Sequence, residues 1–358
     1  MRISTILGRR GRLPMAAAVA ATVAASLLVA PTPASASFSP GTCTEYSVPV
    51  SLTDGGPVDQ TLVGELCLPA FGTPKTVQLL VHGGSYNRTY WDFPYQPYLY
   101  SYRQYANAAG YATFNVDIVG TGESSRPHSS QVTMATSATA LHQVITKLRA
   151  GALGPIAFRK VIWVGHSMGT ATGWQEISTY GDVDGFIATG GAHTVSNTNA
   201  GGIAAFPASL DPKFAPLNLD DGYLSISKLD RDAVMYHGPT SSAQVRQVDY
   251  DTRDTYTVGV LVSGLGLFSQ PLQDSVTKDI TVPVLSIFGQ QDVLYCATDA
   301  YDCDNLAAVQ QSESSFYPNA ADFDLVVVPQ TGHDLNLHYT APYSFLTMIN
   351  WALTHVAP

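Results

Sequence analysis

Charge is scarce in this chain, and positive charge is scarcest. Of 358 residues only 13% are charged, with 18 Lys and Arg against 28 Asp and Glu and a net charge of −10. An acidic surface repels phosphate backbones, which excludes nucleic acid as a partner. Cysteine is limited to Cys43, Cys67, Cys296 and Cys303, with no Cys-x-x-Cys pair, so a zinc site built on thiolates is not expected. The Ala-rich apolar run at 15–30 is shorter than the ~20 residues a membrane span requires. Heptads and long low-complexity segments are missing as well, and nothing of that kind divides the chain.

What is present begins with an export signal. Arg2, Arg9, Arg10 and Arg12 form a basic head, 15–30 an apolar core, and Ala34-Ser35-Ala36 a small-x-small cleavage site. Residues 1–36 therefore read as a signal peptide, exported by the general or the twin-arginine route. The expected product is secreted, extracellular and bacterial in style, with no stable membrane insertion once the signal is removed. Loss of the four arginines leaves 14 basic residues against 28 acidic ones, a net charge of −14. An even number of cysteines in an oxidising compartment suggests two disulfides. Of the three possible sets of pairings, the spacing favours Cys43–Cys67 with Cys296–Cys303.

The order of elements predicts an α/β fold. Extended segments at 45–52 and 60–68 flank a turn at Asp54-Gly55-Gly56-Pro57. Short apolar runs follow at 77–81, 111–116, 160–165, 184–189, 282–288 and 323–328. Helical patterns lie between or after them at 97–109, 131–149, 168–180, 303–312 and 341–355. Apolar strands alternating with helices imply a mostly parallel central sheet with helices on both faces. The stretch 192–280 breaks this rhythm and is too long for an ordinary connection. It reads as a cap or lid inserted between two parts of one catalytic domain, 37–191 and 281–358.

One motif carries the chemistry. Gly165-His166-Ser167-Met168-Gly169 follows the strand run Val161, Ile162, Trp163, Val164 and precedes a helix. A serine on such a turn presents its hydroxyl, while the next amide and the helix N-terminus stabilise negative charge. The histidine it needs is predicted at His333, just beyond the last strand, and the acid at Asp292, just beyond the strand before it. His338 is the nearest rival base; Asp334 and Asp184 are weaker rival acids. The oxyanion donors are expected to be the backbone amides of Met168 and Gly84, the latter in His82-Gly83-Gly84-Ser85 after the 77–81 strand.

With these motifs, the chain resembles the α/β-hydrolase superfamily, in particular its secreted bacterial esterase- and lipase-like members with a cap. Asp117-Ile118-Val119-Gly120-Thr121-Gly122-Glu123-Ser124 resembles a structural loop common in these folds and is no phosphate cradle. The resemblance implies a serine esterase acting through an acyl-enzyme, with no metal and no organic cofactor. Serine at the elbow departs from the epoxide hydrolases and haloalkane dehalogenases, which use aspartate there. The alternatives are a serine peptidase or amidase of the same fold, or a non-catalytic binding protein. The aromatic stretch after the oxyanion segment suggests a small-molecule ester of apolar or aromatic character, with Ser85, Tyr86, Tyr90 and Trp91 as pocket candidates. Asn87-Arg88-Thr89 is also a glycosylation sequon, given little weight in a bacterial chain.

Overall fold

Short runs of Val, Leu, Ile and Phe, bounded by Gly, Pro and Asp, become strands in the computed structural model, which describes residues 41–358. The expected signal peptide lies outside the described residues. The strands are β1 (Cys43–Val50), β2 (Gln60–Cys67), β3 (Thr76–Val81), β4 (Ala112–Asp117), β5 (Lys160–His166), β6 (Gly185–Thr189), β7 (Ala205–Pro207), β8 (Tyr223–Ile226), β9 (Tyr256–Thr257), β10 (Val284–Gly289) and β11 (Phe323–Val328). The α-helices are α1 (Pro97–Tyr100), α2 (Tyr102–Ala108), α3 (Met134–Arg149), α4 (Met168–Tyr180), α5 (Asn197–Gly201), α6 (Lys228–Met235), α7 (Ala243–Thr252), α8 (Val258–Phe268), α9 (Leu306–Ser315) and α10 (Ala341–His355).

Eight strands form the central sheet in the order β1-β2-β4-β3-β5-β6-β10-β11. β1, β2 and β4 pair antiparallel, and every other neighbouring pair is parallel. Every residue of β3, β4, β6 and β10 is buried, as strands covered by helices on both faces require. Ligands of open α/β sheets bind beyond the carboxyl ends of the strands. Ser167, Asp292 and His333 follow β5, β10 and β11, so all three lie on that side.

Two expected helices differ in detail. The 97–109 segment is split at Ser101, whose extended backbone (φ −99°, ψ 100°) ends α1 and whose hydroxyl caps α2. The 303–312 helix begins later, at Leu306, because Asn305 provides the N-cap and Cys303 is held in a disulfide. The bridges join Cys43 to Cys67 and Cys296 to Cys303. Cys43 and Cys67 are directly opposed in the β1–β2 register. Between β6 and β10 lie α5 to α8 and a separate antiparallel sheet in the order β7-β8-β9.

Candidate active site

β5 runs into α4 through a single residue. Ser167 is the N-cap of α4 with φ 53° and ψ −116°, a left-handed conformation that a side chain tolerates only where its surroundings impose it. Its own amide is fixed by donation to the Thr189 carbonyl at 2.8 Å. The flanking glycines are required by contact. A Cβ on Gly165 would stand 2.5 Å from the Gly169 carbonyl oxygen, and one on Gly169 would stand 2.3 Å from that of Val81. Gly169→Ala is therefore expected to lower the free energy of unfolding by about 1–3 kcal/mol. Urea denaturation checks this, and an unchanged midpoint would show that α4 does not press on β3 as described.

The oxyanion segment lies against this turn. Cβ positions on Gly83 and Gly84 would fall 3.1 Å from Ser167 Cβ and 3.2 Å from Met168 Cγ. Among the described residues, neither the Met168 amide nor the Gly84 amide donates to a protein acceptor. Two unused donors beside a partly exposed serine can stabilise an oxyanion at once. Ser85 holds the segment's shape: it sits at φ 66°, and the buried Arg231 guanidinium donates to its hydroxyl at 2.7 Å and its carbonyl at 3.2 Å. Arg231 is itself paired with buried Asp249 at 2.8 Å. The β6–β10 stretch thus braces the 82–85 loop.

Asp292 and His333 meet directly. His333 Nδ1 lies 2.8 Å from Asp292 Oδ2, and the other carboxylate oxygen accepts the Leu294 amide at 3.0 Å. Both side chains are buried. Burial acts to lower the His333 pKa, but the charge and hydrogen bond of Asp292 outweigh it and the net shift is upward. That is the electrostatics of a base whose charged form is supported. The ring of His333 lies 5.0 Å from that of His166, the residue before Ser167, and 6.1 Å from that of Tyr295. No hydrogen bond joins Ser167 Oγ to His333 in this structure. Such bonds are often long before substrate arrives.

The rivals have other tasks. His338 Nε2 accepts the amides of His237 (2.9 Å) and Gly332 (3.1 Å), and its Nδ1 donates to the Asp334 carbonyl at 2.7 Å. Burial brings its pKa down to about 4, so it stays neutral and anchors the His333 loop. The Asp334 carboxylate makes no hydrogen bond to His333; it accepts Tyr86 Oη and lies 3.3 Å from His166 Nε2. Asp184 binds Arg149 at 2.6 Å and the Val161 amide at 2.9 Å. In the Asp117 loop, the carboxylate accepts the amides of Arg88 (2.8 Å) and Glu123 (3.0 Å), a structural role.

Ser167 opens onto an apolar cavity of about 270 Å³, lined by Met168, Val195, Ile203, Tyr256, Leu261, Leu265, Phe268, Leu294 and Tyr295 among others. The pocket candidates Ser85, Tyr86, Tyr90 and Trp91 are not among its walls. All four are buried. Tyr90 stacks on His166 with centroids 4.3 Å apart and meets Tyr86 and Trp91 edge-on at 5.1 Å. The aromatic stretch satisfies its large apolar area by packing beneath the elbow. The walls come instead from α8 and the loops beside β7 and β10. The apolar run Val-Gly-Val-Leu-Val-Ser-Gly-Leu-Gly-Leu-Phe at 258–268 was the available signal for α8.

Comparison with known proteins identifies the family and the fold. A model of the alpha/beta hydrolase family matches residues 78–343. No curated protein matches the chain in sequence. The fold is similar to that of a thermophilic esterase from Thermogutta terrifontis, at 18% identity and a TM-score of 0.57 over 87% of this chain and 100% of that one. It is similar to a protein assigned as an aryl esterase in Burkholderia cenocepacia, at 16% identity and 0.55 over 88% and 100%. A bromoperoxidase from Bacillus anthracis is as near, at 18% identity and 0.55 over 86% and 99%. Folds this alike carry differently named activities, so the choice among them rests on the site.

Proposed function

The chain belongs to the alpha/beta hydrolase family, and on that premise we propose that it is a serine hydrolase cleaving small carboxylic esters through an acyl-enzyme. The observation that carries this reading is Ser167 itself, held at φ 53° at the start of α4 and facing an apolar cavity. Ser167 Oγ attacks the ester carbonyl while His333 Nε2 takes its proton. Asp292 supports the imidazolium through Nδ1, and the Met168 and Gly84 amides receive the oxyanion. His333 then protonates the departing alcohol. Water, deprotonated by the same nitrogen, attacks the acyl-enzyme and releases the acid and free Ser167.

The cavity supplies the substrate class. Its roughly 270 Å³ is near the low end of ligand pockets, which span roughly 300–1,000 Å³. A short aliphatic or aromatic group suits it better than a long lipid chain. Most of its walls come from 192–280, which supports reading that stretch as a cap over the site. Export fits the two disulfides.

A panel of acetyl, butyryl, octanoyl, palmitoyl and benzoyl esters beside matched amides tests this reading. Short and aromatic esters should be turned over fastest, and Ile203→Trp, which fills the cavity, should reduce octanoyl ester hydrolysis about tenfold more than acetyl. Amide hydrolysis with negligible ester turnover would overturn the ester assignment. Equal losses for both acyl groups would remove the cavity from specificity.

A further inference from the structure

Away from the cavity, α3 and α4 pack side by side and bring together three side chains that the chemistry at Ser167 does not use. Glu176 of α4 is fully buried. Neither of its carboxylate oxygens has a hydrogen-bond partner, and one oxygen of nearby Asp182 is also buried and unpartnered. Among the described residues, no Lys or Arg pairs with Glu176; its nearest cationic candidate is His142, whose Nδ1 lies 3.7 Å from Oε1. His142 Nδ1 also lies 2.7 Å from Asp182 Oδ2. A buried carboxyl in this position is satisfied either by a proton, which it can share with His142 and Asp182, or by a cation.

The ligand atoms of His142, Glu176 and Asp182 all lie within 4.8 Å of one another. Ligands at ordinary distances around a tetrahedral ion are about 3.4 Å apart. The His142 separations of 2.7 and 3.7 Å bracket that spacing, so small side-chain shifts suffice. Tyr180 stacks on the imidazole with centroids 3.9 Å apart and planes inclined by 10°, which fixes the ring's direction. His142 also lines a surface hollow of about 380 Å³ with Asp54, Gln143, Thr146 and Lys147.

We propose that His142, Glu176 and Asp182 bind one divalent transition-metal ion of the zinc type, with water completing its shell. One imidazole and two carboxylates suit zinc, whereas calcium and magnesium prefer oxygen ligands alone. The ion ties α3 to α4 and to the turn before β6. Its role is structural, because α4 carries Ser167 at its other end. The competing occupant is a proton: burial raises the Glu176 carboxyl to about 8, so without a cation it is held as the acid.

Calorimetric titration of the chelator-treated protein with zinc, alongside calcium and magnesium, tests this. One equivalent of zinc should bind and raise Tm, with calcium and magnesium far weaker. Glu176→Gln, which mimics the protonated acid without disturbing shape, and His142→Gln, at a partly exposed position, should each weaken zinc binding by roughly 100-fold or more. Both variants should keep the fluorophosphonate reactivity of Ser167, so this result stands apart from that of the proposed hydrolase. Asp324→Asn is the control for the exposed Asp322, Asp324 and His355 group and should leave binding unchanged. No zinc binding by the parent, undiminished binding in Glu176→Gln and His142→Gln, or loss only in Asp324→Asn would each overturn the proposal.

Discussion

Ser167→Ala is expected to lower kcat/KM toward a short-chain ester by about a million-fold, with the fold intact. The size follows from the division of labour at the site. Losing the nucleophile removes covalent catalysis together with the proton transfer from Ser167 to His333, leaving His333 only water to activate. What survives is cavity binding and the amides of Met168 and Gly84, which by themselves leave a residual acceleration of about a thousand- to ten-thousand-fold over water. The substitution removes one partly exposed oxygen, and alanine keeps the Cβ that is strained at φ 53°, so thermal stability should be little changed. Initial-rate assays on the parent and variant check it. Activity within tenfold of the parent would place the nucleophile elsewhere.

Asp292→Asn should cost roughly ten-thousand-fold at neutral pH. The carboxylate accepts at both oxygens, from His333 Nδ1 and the Leu294 amide. An amide in its place must turn its NH2 toward one of them, and the tautomer that leaves Nε2 free to accept is lost. The pH profile gives the same account a sign. Burial lowers the His333 pKa, while the Asp292 charge and hydrogen bond raise it to a net value above the ordinary 6.5. Protonated His333 cannot take the Ser167 proton, so the parent's kcat/KM should fall as pH drops through that raised value. Without the Asp292 charge, burial is opposed only by the smaller effect of Asp334, and the acid limb of the residual activity should move to lower pH. A limb that stays in place would assign it to another group.

Most of what positions the site was legible because its signals are local. The strand–Gly-x-Ser-x-Gly–helix order marks Ser167, and Asp292 and His333 each follow an apolar strand run within a short loop. The cysteine pairs were readable for the same reason, since Cys43 and Cys67 close a hairpin and Cys296 and Cys303 a single loop. The cavity was not legible. Tyr86, Tyr90 and Trp91 have the composition of a pocket wall and the placement of a core, and only burial against His166 separates the two. The brace from Arg231 and Asp249 to Ser85 joins residues 146 and 18 positions apart, which no spacing rule connects. The same holds for Glu176, ordinary on a helix and informative only once both its oxygens prove unpartnered. Sequence periodicity shows which face is buried; it does not show what a buried polar atom meets.

The central claim is that Ser167 is the activated nucleophile, and the most direct test is to trap it. The protein is treated with a fluorophosphonate, digested and mapped by mass spectrometry. The expected result is one adduct, on the peptide holding Ser167, absent from Ser167→Ala and formed much more slowly in His333→Ala. An unlabelled parent, or an adduct on any other residue that persists in Ser167→Ala, would contradict it.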